Sequence, residues 1–341
     1  GTPWRIYDGK TTPLLTGLMK GTKRLEKVYD GNVFATTDTH ITLVHTGKDV
    51  GTYDAYSDQF GYDLIGGAVI KSKSLTLGFT SGTRFNKIYD GNVNVTRTLT
   101  KGTNYSLTGF VGSEGADVEL AGAVTGKYAD KNAGKDKEVT FQNLALTGTG
   151  AKNYTIKKAQ GVGTITPKQL TLDLVGSTRF DKTYDGNANV TQSLTKGTNY
   201  TLTGFVGSEG TGIALASSAG TYSDKNAAAD KAVTFDGLTL TGTGAGNYVL
   251  NKTALTGTGT ISQKSLTLAL TGGARFDKTY DGNANVTQTL TKDRNYALTN
   301  FVNGEGADIA LAPVTGTYTD KNAGTGKAVT FGGLTLTGTG A

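Results

Sequence analysis

Lys182-Thr-Tyr-Asp-Gly-Asn187 is the stretch that organises the chain, because it recurs. The same Lys-x-Tyr-Asp-Gly-Asn string stands at Lys27–Asn32, Lys87–Asn92 and Lys278–Asn283. Tyr89 and Tyr184 are 95 residues apart, and Tyr184 and Tyr280 are 96 apart. The flanks keep that register. Arg-Phe pairs precede it at Arg84–Phe85, Arg179–Phe180 and Arg275–Phe276. Gly-Phe-Val follows at Gly109–Val111 and Gly204–Val206, with Asn300–Val302 in the last copy. Tyr-x-Asp-Lys-Asn-Ala comes next at Tyr128–Ala133, Tyr222–Ala227 and Tyr318–Ala323. Val-Thr-Phe (139–141, 233–235, 329–331) and Leu-Thr-Gly-Thr-Gly-Ala (146–151, 240–245, 336–341) close the series. Solenoid repeats run to ~20–50 residues, so a unit of this length is expected to hold its own core.

Within a unit, apolar residues alternate with others at Leu75, Leu77, Phe79, at Leu170, Leu172, Leu174 and at Leu266, Leu268, Leu270. A period of two gives a strand with one buried face. Asp-Gly inside the recurrent string is a hairpin signal, since type I′ turns need positive φ at both central positions. Short strands separated by turn residues predict an all-β chain of tandem immunoglobulin-like β-sandwich modules in an extended rod.

Composition agrees. The 341 residues include 50 Gly, 4 Pro, 1 Met, 1 Trp, 2 His and no Cys. Without cysteine there is no disulfide scaffold, thiol nucleophile or Cys-based zinc site. The balance of 34 basic and 28 acidic residues is +6 and spread along the chain, so nucleic acid is not an expected partner. No apolar run approaches the ~18 residues of a membrane helix, and membrane insertion is not expected.

The expected domains are a segment 1–12 that completes a module, a shortened module 13–72, and modules 73–167, 168–263 and 264–341. The first module lacks Gly-Phe-Val and Val-Thr-Phe, and it holds His40, His45 and the aromatics Tyr53, Tyr56, Phe60 and Tyr62. A unit of that size buries a smaller share of its surface and is expected to be the least stable. The last module is read as lacking its closing strand. Two readings of the ends stay open: a cut from a longer array, or a segment that completes a neighbouring copy by strand donation. In the second, Trp4, Ile6, Thr11, Thr12 and Pro13 insert beside Val329, Phe331, Leu334 and Leu336, giving a head-to-tail homopolymer.

No catalytic constellation emerges. Two histidines five residues apart, without a third ligand or a nucleophile, give surface or turn roles. The chain is not expected to be an enzyme. Recurrent acids offer a weak calcium set: Asp185, Glu209 and Asp224, repeated as Asp90, Glu114, Asp130 and as Asp281, Glu305, Asp320. Capping of local turns by these carboxylates is the plainer reading. Lys182, Glu209 and Asn226 recur together as an isopeptide trio, again against ordinary turn roles. Tyr184 and its equivalents are expected to be core aromatics with hydroxyls at the rim. Asn94, Asn189, Asn285, Asn153 and Asn199 each open an Asn-x-Thr acceptor string.

The Lys-x-Tyr-Asp-Gly opening, the Tyr-x-Asp-Lys-Asn-Ala middle and the Thr-Gly-Thr-Gly-Ala-x-Asn-Tyr ending resemble the YDG-type repeat modules of large exported bacterial proteins. Such modules occur in filamentous-haemagglutinin-like adhesins and related surface fibres. The resemblance covers 73–341 well and 13–72 in part. It implies an extracellular stalk, fibre or matrix filament at a bacterial surface. The alternative it implies is an adhesin module recognising glycans or a host surface.

Overall fold

The computed structural model describes residues 4–5, 14–15, 25–36, 42–57, 68–302 and 304–341. Ile6, Thr11, Thr12, Pro13, His40, Phe60 and Tyr62 lie outside them. The chain is all-β, built from many small sheets. Contacts divide it into two units, Gly1–Lys168 with Gly246–Val249, and Gln169–Ala245 with Leu250–Ala341.

In the first unit, the second module shows the pattern in full. Thr76–Phe79 pairs antiparallel with Tyr105–Thr108, placing Leu77 opposite Leu107 and Phe79 opposite Tyr105. A six-stranded sheet runs Lys87–Ile88, Tyr154–Thr166, Gly134–Leu144, Val124–Tyr128, Asn94–Arg97, with Lys73–Ser74 also beside Tyr154–Thr166. The alternation does what period two requires: Leu75, Leu77, Val139, Phe141, Ile156 and Ile165 are buried, and Phe79, Phe85 and Phe141 meet with centroids 4.5–5.2 Å apart. Gly163 makes room for this core, since a Cβ there would lie 2.3 Å from the Phe85 carbonyl oxygen and 2.3 Å from the Tyr128 hydroxyl.

The second unit repeats these pairings in the third module. Lys182–Thr183, Leu255–Ser262, Ala228–Phe235 and Gly220–Tyr222 form one sheet. Its core gathers Leu172, Phe180, Tyr200, Tyr222, Val233, Phe235 and Ile261. The fourth module keeps Thr267–Leu270 with Tyr296–Thr299, Ala310–Leu311 with Leu336–Thr337, and Thr317–Tyr318 with Val329–Thr330. Its core is smaller, centred on Tyr296, Leu298, Ile309 and Leu311. Leu268 is exposed, whereas its counterpart Leu172 is buried, and Leu270 is exposed where Leu174 is partly buried.

The hairpin expectation for Tyr-Asp-Gly-Asn is corrected. Lys87–Ile88 and Asn94–Arg97 do not pair with each other. The first lies parallel to Tyr154–Thr166 and the second antiparallel to Val124–Tyr128. Positive φ occurs at Gly91 and not at Asp90, so the type I′ requirement is unmet. The string instead carries the chain from one sheet position to another, with the same parallel entry at Lys182–Thr183 and at Glu26–Val28.

The first module differs at one instructive place. The amide of His45 donates to the Val33 carbonyl, as Tyr128 does to Val93, Tyr222 to Ala188 and Tyr318 to Ala284. His45 therefore occupies a site that is tyrosine in the other three modules. Those tyrosine hydroxyls donate to the carbonyls of Phe85, Phe180 and Phe276. The His45 ring is buried and neither ring nitrogen has a hydrogen-bond partner. Burial, then the Lys27 ammonium, pushes its pKa below 6.5, with Asp30 opposing. A base with a depressed folded pKa costs stability once the unfolded chain begins to protonate. The first module is therefore expected to keep its stability above pH 6.5 and to lose it as pH falls below that value. The slope is limited to about 1.4 kcal/mol per pH unit. Thermal melts at pH 7.5 and 5.5 on the chain and on His45→Tyr check this: the pH dependence belongs to the histidine form alone.

Candidate functional site at the module junctions

Each Tyr-Asp-Gly-Asn loop is wound around its lysine. Lys27 Nζ donates to Asp30 Oδ1 at 2.7 Å and to the carbonyls of Asn32 and Phe34 at 2.8 Å. Asp30 Oδ1 accepts from the Asn32 amide, and Asn32 Oδ1 accepts from the Phe34 amide. These are Asx turns, in which a short side chain stands in for a backbone turn. The arrangement repeats at Lys87, Lys182 and Lys278. The Asp carboxyls are held below the usual carboxylate range; at Asp281 the cause is first the Lys278 ammonium and then the Asn283 amide. The tyrosine is left to leave the loop for a neighbour.

A second loop meets it. Residues Gly109–Gly115 fold over Phe110: a Cβ at Gly115, whose φ is +95°, would lie 2.5 Å from that ring. Lys101 pins the loop from within by donating to the Gly115 and Val118 carbonyls, and its ammonium lies 5.6 Å from the Phe110 centroid. Lys196 and Lys292 do the same in their modules. With the phenylalanine and lysine turned inward, Val111 and Glu114 are presented outward.

In the first unit this loop receives Tyr29. The Tyr29 hydroxyl donates to Glu114 Oε1 at 2.8 Å, and the Tyr154 hydroxyl donates to Oε2 at 2.5 Å while accepting from the Val111 amide. The two tyrosine rings stack edge to face, 5.5 Å apart. Gly31 lies against Val111, where an added Cβ would be 2.8 Å from the valine Cγ1. Alongside, Asn153 accepts from the Val50 amide and donates to Asp49, both at 2.8 Å. Tyr29 is 2% and Asn153 1% exposed, so this is a desolvated contact between the first and second modules. Burial, then the Glu114 carboxylate, pushes the Tyr29 phenol up.

The same unit shows the asparagine half of the arrangement again. Asn247 accepts from the Ala133 amide and donates to Asn132, while Tyr89 meets Tyr248 edge to face at 5.4 Å. In the second unit, the Tyr184 hydroxyl donates to Glu305 Oε1 at 2.5 Å, and Lys225 donates to the same oxygen at 3.1 Å. Gly186 lies against Val302 as Gly31 lies against Val111. The Glu305 carboxylate first, and then burial, pushes the Tyr184 phenol up, while Tyr184 and Lys225 together hold the Glu305 carboxyl below 4.5.

A carboxyl depressed in the folded state stabilises the contact above its ordinary pKa and loses that contribution as it protonates. A raised phenol penalises the folded state once the unfolded tyrosine ionises. The contact between Tyr184 and Glu305 is therefore expected to hold from above pH 4.5 to about pH 10 and to weaken outside that window. Nuclear magnetic resonance of the Tyr184 ring across pH 3–11 reads it, against Glu305→Gln as the flat acid-side control.

Glu114 and Glu305, two of the calcium candidates, accept from tyrosines at the junctions instead. Asp185 and Asp224 pair with Lys182 and Lys231 at 2.6 and 2.7 Å. Among the described residues no three His, Asp or Glu side chains gather as a metal cluster. Lys182 Nζ bonds Asp185 and Asn187, so the Lys182, Glu209, Asn226 trio is not assembled around it. Asn153 is buried in the junction, while Asn199 Oδ1 accepts from the Thr195 amide. Trp4–Arg5 pairs with Leu14–Leu15 within the chain. Val329 and Leu336 lie in short strands, and Leu334 and Leu336 are exposed. The reading of Tyr184 as a rim hydroxyl missed its partner. The roles of Lys101, Asn153 and Val111 were also missed, although Lys-x-x-Asn-Tyr at 101–105, 196–200 and 292–296 is a visible repeat.

The sequence profile of the YDG domain matches residues 71–161, 166–256 and 262–341, three tandem copies that together span most of the chain. No curated protein and no solved structure matches it.

Proposed function

We propose, from the premise that the chain belongs to the YDG domain family, that it is a structural repeat protein whose modules are locked to their neighbours by tyrosine–glutamate latches. The observation that carries the reading is the pair Tyr29–Glu114 and Tyr184–Glu305, one in each unit, built from the residues that define the repeat. The latch does no chemistry. It spends a hydroxyl, a carboxylate and a close glycine–valine contact on fixing one module against the next, as a spacer under tension requires. In this reading the modules are immunoglobulin-like sandwiches strung as a rod. The rod is an extracellular stalk, fibre or matrix filament of a bacterial surface. Small-angle scattering and electron microscopy on the purified chain test this. A stiff, elongated particle of constant width is the expected result, and a collapsed or freely jointed particle would overturn it. A glycan array on the same sample separates the adhesin alternative, which requires saturable binding to one sugar class.

A further inference from the structure

Tyr280 is the fourth tyrosine of the series, and it is 60% exposed where Tyr29 is 2% exposed. Its surroundings match those of the occupied sites. Lys278 winds the loop as Lys182 does, with Asp281 Oδ1 at 2.7 Å and the Asn283 carbonyl at 2.8 Å. Gly282 has φ +82°, and an added Cβ there would meet nothing within 4 Å, whereas Gly31 and Gly186 each face a valine. Lys321 stands where Lys225 stands, and the Asn322–Ala323 pair stands where Asn132–Ala133 receives Asn247. Neither the Tyr280 hydroxyl nor the Lys321 ammonium is hydrogen-bonded or ion-paired to another of the described residues.

We infer that this face is a docking socket for a further YDG module. The occupant is defined by chemistry: a loop bearing valine and, three residues on, a glutamate, beside an Ala-x-Asn-Tyr turn. The valine would close over Gly282, and the carboxylate would accept from Tyr280 and Lys321. The asparagine side chain would accept from the Ala323 amide. Two donors with a cation select a carboxylate, and the glycine floor selects a close apolar side chain. The loops at Glu114 and Glu305 are already seated on Tyr29 and Tyr184, and Glu209 also has partners. The occupant is therefore a module additional to those in this chain.

This inference rests on the latch reading and deepens it. The test extends the full chain after Ala341 with a second copy of residues 152–263, which continues the repeat in register and adds one module. Hydroxyl-radical footprinting then reads Tyr280. The control carries only the second copy of 152–167, the stretch that follows Ala151 in the second module, and adds no neighbour. Tyr280 is expected to react freely in the 341-residue chain and in the control, and to lose its reactivity down to the level of Tyr29 in the extended chain. Replacing the added copy of Glu209 by alanine is expected to restore it. Tyr280 reactive in the extended chain, or protected regardless of that glutamate, overturns the socket. Tyr29 and Tyr184 reacting as freely as Tyr280 in the 341-residue chain would overturn the latch reading itself.

Discussion

Glu114→Ala is expected to free the first module from the second at a cost of about 1–3 kcal/mol, the penalty for leaving buried hydroxyls without an acceptor. Two donors lose their partner at once, because the Tyr29 and Tyr154 hydroxyls both end on this carboxylate. Neither ring has another place to go: Tyr29 is 2% exposed, and Tyr154 is fixed by the Val111 amide and the Phe110 ring. Glu114→Gln keeps one oxygen and is expected to lose less. The third module shares no contact with Glu114 in these bonds, so its own unfolding should not move. Hydrogen exchange by peptide resolves the two responses: protection falls in 25–36, 42–57 and 68–71 and stays constant in 220–262.

Gly242→Ala carries the second large effect, and it acts inside a module. Gly242 has φ +109°, a region L residues rarely adopt, and its missing Cβ would lie 1.9 Å from the Gly212 carbonyl oxygen. Backbone, unlike the tip of a side chain, cannot swing aside. The bridge between Ala214–Leu215 and Leu240–Thr241 would have to open, taking Leu215 and Leu240 off the core. A loss of more than about 3 kcal/mol is expected, from strain and clash together. Gly148 and Gly338 meet Asp117 and Asp308 in the same way at 2.2 Å. The Thr-Gly-Thr-Gly string thus marks a crossing of backbones as well as a turn. Urea unfolding of Gly242→Ala beside Gly246→Ala checks it, since a Cβ at Gly246 meets nothing within 4 Å.

Much of the architecture was legible in the repeats. The alternation at Leu170, Leu172 and Leu174 marks a strand face that is buried at Leu170 and Leu172 and partly buried at Leu174, because period two is a local property of the backbone. The module spacing was legible because each copy repeats the same turns. Two things were not. Asp-Gly is a hairpin signal only when the flanking strands pair, and here each strand finds a better partner elsewhere, Lys87–Ile88 beside the Tyr154–Thr166 strand. Nothing local records that choice. The junction was hidden for a related reason. Tyr29 and Glu114 are 85 residues apart, and a recurrent tyrosine looks the same whether its hydroxyl meets solvent or a neighbour. The recurrence of Glu114 and Glu305 is visible, but a recurrent carboxylate reads as a turn cap, a calcium ligand or a cross-link partner, and none of these points to a tyrosine of the neighbouring module. His45 escaped for the opposite reason: the shortened module broke the register that would have aligned it with Tyr128.

The absence of cysteine makes the central claim directly measurable. Spin labels on Thr203→Cys and Thr299→Cys, both exposed strand positions in the second unit, report the distance between the third and fourth modules by electron–electron resonance. With the Tyr184–Glu305 latch intact, the distribution is expected to be narrow, and Glu305→Ala is expected to broaden it while both modules stay folded. A distribution equally broad in both proteins, or equally narrow, would contradict the claim that this carboxylate locks one module to the next.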